Sequence, residues 1–308
     1  MKINSTGLCI TPLAPFNFAG TATSHGWSEL APTAWDEDSQ ALQRTERLST
    51  GKVVRLRITG SGTLKRPGLS VEVNHAGRLS PKDEQAVTTA VGHMFRAEED
   101  LAEFYALCKK HAGQWTKAAT DGLGRVLRSP TVFEDAVKTI CTINIQWGGT
   151  KGMVNRLVNT YGEAFPGDPA QRAFPTPEAM AADSFAAFSK AARLGLRAPY
   201  VHTLARRVAA GELDLESLRT SSLPTPELRK ELLTIKGVGN YAAASLLMFL
   251  GRYDELAVDT VFRAFVSQKY FGGQMPADKD AQALYAPWGR WKYLAYRFEI
   301  WQHYQTEA

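Results

Sequence analysis

The hydrophobic period of the chain changes near residue 80, and this change constrains the fold more than any other feature. Before it, apolar and polar residues alternate over residues 54–59 and 69–73, as in strands with one buried face. After it, apolar residues recur at helical spacing, as over residues 132–140. The pattern predicts an α+β fold, with β structure from about residue 10 to 75 in an N-terminal antiparallel β domain over 1–80, and a mainly helical domain over 81–308.

Hydroxyl residues followed by proline predict several helix starts in the second part. A hydroxyl oxygen can accept a backbone N–H that has no partner at a helix start, and proline lacks that N–H. Thr131, three residues before Glu134, competes with Ser129 for one of these starts. We expect the remaining two thirds of the chain to be all helical. The four pairs are Ser80–Pro81, Ser129–Pro130, Thr176–Pro177 and Thr225–Pro226.

Composition excludes several classes of protein. The 308 residues carry 36 basic and 31 acidic side chains, a net charge of +5 that is compatible with an anionic partner without requiring one. Cys9, Cys108 and Cys141 have no CxxC spacing, so they can form neither a disulfide framework nor an iron–sulfur site. We expect a cytoplasmic protein, since no segment is typical of a signal peptide or a membrane span.

A glycine-rich turn between two helices is the most informative motif. The first helix is expected to end at Ile235, the turn runs over residues 236–239, and the second helix begins near Asn240. Gly237 and Gly239 allow a sharp turn that buries Val238 and leaves amide groups pointing outward, where they can bind a phosphate. The same pattern also fits a plain connection with a glycine at the helix C-terminus.

Beyond this turn, one carboxylate lies between an apolar stretch and a helix start. Asp259 and Thr260 come after an apolar stretch and begin a predicted helix that contains Arg263. Asp259 fits a helix cap and a catalytic carboxylate, and both roles can coexist.

Together these segments resemble the helix-hairpin-helix DNA glycosylase superfamily. The matching residues are Gly237, Val238, Gly239, Ala243, Val258 and Asp259. Residues 140–157 and 194–201 are similar to segments of 8-oxoguanine glycosylases and, for 194–201, also of inducible bacterial 3-methyladenine glycosylases. The resemblance implies two helical lobes, one over about 130–255 with the hairpin and one over 81–129 plus 256–308.

The resemblance also implies roles for individual residues. Asp259 is expected to stabilise positive charge on the sugar, whether or not it also deprotonates the attacking water. Asn144 is expected to fill the space left by a flipped base, although it also fits the end of a helix. The other DNA contacts are expected from Gly237, Val238, Gly239, Lys236 and Arg263, with Lys151 and Arg156 nearby. The residues of the base pocket are expected to be Tyr241, Trp147, Tyr293, Trp27 and His25.

Departures from the family pattern bear on the reaction. Tyr241 stands where bifunctional members carry the lysine that forms a Schiff base, so a monofunctional glycosylase that uses water is expected. His25 and Gly26 replace the glycine–glutamine pair of oxoguanine enzymes, and residues 288–301 are rich in aromatics that could stack on an alkylated purine. Aromatics at helical spacing, such as Trp291, Phe298 and Trp301, are more often core residues.

We therefore expect a DNA N-glycosylase of the 3-methyladenine type, acting as a monomer on double-stranded DNA that contains a damaged base. An 8-oxoguanine glycosylase without lyase activity and a non-enzymatic module that binds damaged DNA remain alternatives. No cofactor, metal site or membrane contact is expected, apart from a monovalent cation at the hairpin that the resemblance allows. The expected location is the bacterial cytosol.

Overall fold

An antiparallel sheet of five strands forms the first part of the chain. The computed structural model describes residues 2–307, with side chains as far as Tyr304. The strands are β1 (Ile3–Ile10), β2 (Thr33–Asp36), β3 (Ala41–Arg47), β4 (Val53–Thr63) and β5 (Arg66–Ala76). Their order across the sheet is β1-β5-β4-β3-β2.

The two segments predicted from alternation are the neighbouring strands β4 and β5. Leu56 lies opposite Val73 and Ile58 opposite Val71, and all four side chains are buried. The prediction of β structure throughout residues 10–75 is wrong between β1 and β2. That connection contains helix α1 (Phe18–Ala22) and a 3₁₀ turn over Gly26–Glu29, because Asn17 caps α1 by accepting the Gly20 amide at 2.8 Å.

Helices make up most of the chain after Ser80. They are α2 (Pro81–Met94), α3 (Ala102–His111), α4 (Thr116–Thr120), α5 (Val132–Thr142), α6 (Trp147–Tyr161), α7 (Pro177–Ala181), α8 (Phe185–Ala192), α9 (Ala198–Ala209), α10 (Thr225–Leu233), α11 (Asn240–Phe249), α12 (Thr260–Tyr270), α13 (Asp278–Ala283) and α14 (Lys292–Glu307). Within the described residues no helix is both long and apolar enough to cross a bilayer.

The α+β fold is confirmed, but the expectation that this part is all helical is wrong in one place. Strands β6 (Ala164–Phe165) and β7 (Asp168–Arg172) form a small antiparallel hairpin. Their sequence contains no run of alternating apolar residues, so the hydrophobic period could not reveal them. Most buried apolar side chains of the five-stranded sheet and of the helices form one continuous cluster, and Val53 of β4 forms a small separate cluster with Phe165 and Ala173.

Two of the four predicted hydroxyl–proline starts are helix caps. Ser80 accepts the Asp83 amide at 3.2 Å and Asp83 returns a contact to the Ser80 amide, while Thr176 caps α7. Thr131, rather than Ser129, caps α5. At the fourth start the cap position is Pro224, because the Thr225 hydroxyl donates to Asp254 at 2.9 Å instead.

A buried ionic cluster joins the sheet to α5. Arg44 of β3 donates to both carboxylate oxygens of Glu134 at 2.9 and 2.6 Å, and its Nε donates to Glu46. Lys138, one turn along α5, lies 2.7 Å from Glu134. Burial would raise the pKa of Glu134, but the two cations lower it to about 2. We call these four residues the Arg44 cluster.

The predicted glycine turn joins α10 to α11. The first helix ends at Leu233, two residues before the predicted end at Ile235, and the second begins at Asn240 as predicted. Val238 is buried, and its amide donates to the Ile235 carbonyl at 2.9 Å. Gly237 has φ of +92°, and a Cβ there would lie 2.6 Å from Cγ of Tyr200. Gly237 therefore satisfies both a backbone and a packing requirement.

Removing the guanidinium of the Arg44 cluster should destabilise the fold strongly. Arg44→Leu leaves Glu134 and Glu46 buried with too little positive charge, so we expect the free energy of unfolding to fall by about 3–5 kcal/mol. Urea denaturation followed by circular dichroism measures this. Arg47→Leu is the matched control on the same strand, because its ion pair with Glu163 is exposed and should contribute less than about 1 kcal/mol. Equal losses in both variants would contradict the role given to Arg44.

The two glycines of the turn should respond differently to alanine. Gly237→Ala meets the Tyr200 ring and an unfavourable φ, so a loss of about 1–3 kcal/mol in the free energy of unfolding is expected. Gly239 has no atom near the position of a Cβ and has φ of −97°, so Gly239→Ala should cost less than about 1 kcal/mol. The same denaturation experiment compares the two, and a reversed order would show that the turn is built differently.

Candidate active site

A cleft of about 1470 Å³ lies between the turn after α1, the α5–α6 connection and helices α11, α12 and α14. Most of the residues predicted for a functional site line it. The hairpin glycines and Lys236 are not part of its lining; they lie at the start of α11, just before Tyr241. The predicted residues that line the cleft are His25, Trp27, Asn144, Trp147, Tyr241, Asp259, Arg263 and Tyr293.

Asp259 is both a helix cap and a cleft residue. Its Oδ1 accepts the Phe262 amide at 2.7 Å, which makes it the cap of α12. Burial raises the pKa of this carboxyl, while the Phe262 amide and the charge of Arg297 act in the opposite direction. The two interpretations of Asp259 that the sequence left open, a helix cap and a catalytic carboxylate, are therefore compatible in the structure.

Aromatic rings form one wall of the cleft. The ring centroids of Trp27 and Phe249 are 4.9 Å apart, and the His25 ring lies 4.9 Å from Trp27 and 5.5 Å from Phe249. Trp27 donates its indole N–H to Asp135 at 2.8 Å. Burial raises the pKa of Asp135 to about 6, although the Ser129 amide and Trp27 stabilise its charged form. Trp27 is thus fixed by a buried acceptor as well as by packing.

The start of α6 also contributes to the lining of the cleft. Trp147 is partly exposed and donates to Glu29 at 3.2 Å, and Glu29 also pairs with Lys151 at 3.0 Å. The Trp147 ring packs so closely on Gly26 that a Cβ at this glycine would lie 2.2 Å from Cζ2 of the ring. A glycine is therefore required at position 26 for Trp147 to approach the α1–β2 connection.

Asn144 lies in the exposed turn between α5 and α6. It has φ of +48°, in the left-handed region that asparagine tolerates, one residue after the C-cap of α5. Arg197 holds the turn by donating to the carbonyls of Ile143 and Asn144. The asparagine side chain is left exposed at the rim of the cleft, so the helix-end interpretation and the wedge interpretation are both compatible with its position.

The arginines predicted to contact DNA have protein partners. Arg263 makes two hydrogen bonds to Asp278, at 2.8 and 2.9 Å, and Arg156 donates to the carbonyls of Ala192 and Arg193. Binding of Arg263 to a phosphate would compete with Asp278. Lys236 is exposed and, unlike Asp259, does not line the cleft.

Helix α14 supplies a residue that the sequence reasoning missed. Tyr293 is buried at the cleft wall, as predicted for the pocket, and burial raises its pKa. Arg297, one turn further on, also lines the cleft and donates to the Ser24 carbonyl at 2.9 Å. The signal was present, because residues four apart share a helix face. Trp291 and Phe298 are core residues, whereas Trp301 reaches the cleft.

Smaller side chains complete the wall around Tyr241. Thr142 and Ser245 line the cleft, and burial raises the pKa of the Tyr241 hydroxyl although these two hydroxyl groups act against the shift. The charge of Asp259 raises it further. Tyr241 is therefore a neutral phenol in the position next to the candidate carboxylate. Among the described residues no group of three or more His, Cys, Asp and Glu side chains could hold a metal ion.

Neither a protein-family model nor a curated protein matches the chain. Solved structures do. A 3-methyladenine DNA-glycosylase from Archaeoglobus fulgidus superposes with a TM-score of 0.73 at 20% identity, covering 94% of this chain and 96% of that one. An 8-oxoguanine glycosylase/lyase from Clostridium acetobutylicum, free of DNA, superposes with a TM-score of 0.69 at 18% identity, covering 96% of each chain. Its complex with double-stranded DNA containing cytosine opposite 8-oxoguanine gives 0.70 at 18% identity, covering 100% and 99%. The chain therefore has the fold of the helix-hairpin-helix DNA glycosylase superfamily.

Proposed function

We propose that this protein is a DNA N-glycosylase of base excision repair. It flips a damaged base into the cleft and hydrolyses the N-glycosidic bond with water, leaving an abasic site. The observation that carries the proposal is the position of Asp259: a partly buried carboxylate in a cleft lined by aromatic rings, next to a helix N-terminus whose hairpin can bind phosphate. The names of the structural relatives in both branches of the fold support it.

The chemistry assigned to Asp259 follows from the charge that develops during the reaction. Loss of the base leaves positive charge on the sugar, and a carboxylate held close to it lowers the energy of the transition state. The Phe262 amide supports the ionised form that this role requires. The base leaves with the electron pair of the broken bond, the oxygen of water bonds to the sugar, and the proton that this water loses balances the one taken up by the base.

The DNA contacts in the proposal come from the hairpin and the α5–α6 turn. The amides of Gly237 and Gly239 bind a backbone phosphate, Lys236 adds salt-dependent attraction, and Asn144 enters the space left by the flipped base. A monovalent cation at the hairpin would join turn carbonyls to the same phosphate. It takes no part in the reaction at Asp259.

The absence of lyase activity is the second part of the proposal. Tyr241 supplies a phenol where an amine would be needed, and the lysine that does line the cleft, Lys151, is paired with Glu29. Water is therefore the nucleophile.

The damaged base is first proposed to be an alkylated purine, since His25, Trp27 and Phe249 offer rings for stacking. An oxidised purine is the second candidate, and the observation that favours it is the guanidinium of Arg297 in the cleft, which suits a carbonyl oxygen and repels a cation. A non-enzymatic DNA-binding module is the remaining alternative.

Replacement of Asp259 should separate catalysis from binding. We expect Asp259→Asn to reduce single-turnover excision at least a hundredfold or so, while the affinity for damaged duplex stays within about threefold. Asp280→Asn, at an exposed position on α13, is the matched control and should leave both unchanged. Because the pKa of Asp259 is raised, excision should decline with acidification at a higher pH than for an ordinary aspartate. Binding by wild type without release of any base would favour the binding module.

Borohydride should not trap the wild-type protein on DNA. Reduction of a Schiff base would create a covalent complex, but no amine stands at position 241, so we expect free protein and a strand that breaks only after alkaline treatment. Denaturing gels of a labelled duplex measure both. If a complex formed, Lys151→Ala and Lys236→Ala would identify the amine, and the monofunctional mechanism would be wrong.

A further inference from the structure

Arg297 enters the cleft as a cation without a carboxylate partner. One guanidinium nitrogen, Nη2, donates to the Ser24 carbonyl at 2.9 Å, and Nε is buried without a protein partner. Arg297 forms no ion pair within the described part of the chain. Its donor capacity is therefore only partly used by the protein.

The charge of Arg297 acts on several groups around the cleft. Burial raises the pKa of Asp259, Tyr241 and Tyr293, and the guanidinium opposes that shift in each of them. It also lowers the pKa of His25. Arg297, Asp259 and His25 all line the cleft, and Arg297 binds the carbonyl of Ser24, the residue before His25, so its charge acts on a base that enters the cleft.

His25 presents the complementary hydrogen-bonding group. Its Nε2 lies 2.6 Å from the Leu127 carbonyl, which can only accept, so the proton belongs on Nε2 and Nδ1 carries the lone pair. No protein donor reaches Nδ1 among the described residues, and this atom is not buried. Burial and the Arg297 charge lower the pKa of His25 to about 3, so the ring is neutral near physiological pH.

We propose that Arg297 and His25 are specificity-determining residues that read the edge of the flipped base. The guanidinium donates to a carbonyl oxygen of the base, and Nδ1 of His25 accepts the adjacent N–H. The inference rests on the proposed glycosylase activity but departs from the alkylated purine named first there: the substrate class is a neutral purine with a carbonyl next to an N–H, as in deaminated adenine or oxidised guanine. A cationic alkylpurine is disfavoured by Arg297, and adenine presents the donor and acceptor in the wrong order.

Two physical effects produce this selectivity. The guanidinium repels a positive charge placed near it in a partly buried site, where screening by water is weak. Nδ1 of His25 can only accept a hydrogen bond. A base that has no N–H facing it therefore leaves this atom without a partner. Undamaged guanine carries the same edge, but extraction from a matched pair costs more than extraction of a damaged or mispaired base.

Three duplexes that differ only in the lesion test the two residues separately. Hypoxanthine is neutral and carries a carbonyl next to an N–H. The base 7-methylguanine carries the same two groups but is cationic at about pH 6, and 1,N6-ethenoadenine is neutral but lacks them. Single-turnover excision is measured for wild type, Arg297→Gln, Arg297→Lys and His25→Leu. Ratios between lesions within one preparation are compared, so partial loss of folded protein cancels.

Relative to the uncatalysed release of each base, wild type should accelerate the excision of hypoxanthine more than that of either of the other two bases. Arg297→Gln should raise 7-methylguanine excision relative to hypoxanthine about tenfold, as expected for removal of one nearby charge, whereas Arg297→Lys should keep the wild-type ratio within about threefold. His25→Leu should lower hypoxanthine relative to ethenoadenine about tenfold.

Ratios that stay within about twofold of wild type in both Arg297→Gln and His25→Leu would overturn the inference while leaving the glycosylase function intact. If Arg297→Lys changed the excision ratio as much as Arg297→Gln does, the positive charge could not be the cause of the selectivity. If wild type bound these duplexes and a wider panel of lesions without releasing any base, the proposed glycosylase function would be wrong. The roles proposed for Arg297 and His25 in base recognition would then be wrong as well.

Discussion

The buried contact between Arg44 of β3 and Glu134 of α5 sets the position of the helix on which much of the cleft depends. Glu134 binds the sheet, and the next residue, Asp135, accepts the indole N–H of Trp27. The same helix ends at Thr142, just before the turn that carries Asn144. A rotation of α5 relative to the sheet would therefore displace an aromatic wall of the cleft and its rim together.

Polar contacts can fix the position of α5 on the sheet because they require one orientation of the helix. Almost every residue of α5 is buried, and apolar packing alone would tolerate a small rotation or shift at modest cost. Glu134 must meet Arg44 of the sheet, whereas Asp135 must meet Trp27 and the Ser129 amide. Only one placement of the helix satisfies all of these groups, and leaving one charge unpaired in the interior is costly. We infer that the cluster contributes orientation more than net stability.

The sequence allowed prediction of those features that depend on neighbours along the chain. The strands β4 and β5 follow from alternation, the turn at Gly237–Gly239 from its two glycines, and the cap at Asp259 from the residue types at a helix start. Local rules failed where a distant partner decided the outcome. Thr225 looked like a cap, but Asp254 takes its hydroxyl.

The features that escaped prediction depend on contacts between distant segments. Arg297 shares a helix face with the predicted pocket residue Tyr293, but it is far in sequence from Ser24 and His25, and residues 288–301 do not indicate that it meets the turn after α1. The same holds for Arg44, whose partner lies in another element. Arg263 lies close to the position at which the family pattern predicts an arginine for DNA contact, yet its guanidinium donates to Asp278. Residue type and spacing predict which groups are available, whereas tertiary packing decides what each one contacts.

Asp259 shows why a helix cap is a suitable position for a carboxylate of this kind. A catalytic carboxylate in a cleft must be shielded from water to act strongly, but shielding alone raises its pKa and favours the neutral acid. The amide at the start of α12 opposes this effect and fixes the direction of the carboxylate, and the cation of Arg297 opposes it as well. Both groups thus favour the ionised form of a carboxylate that is partly removed from solvent. The cap that looked like a competing explanation for Asp259 in the sequence is a physical condition for the reaction proposed here.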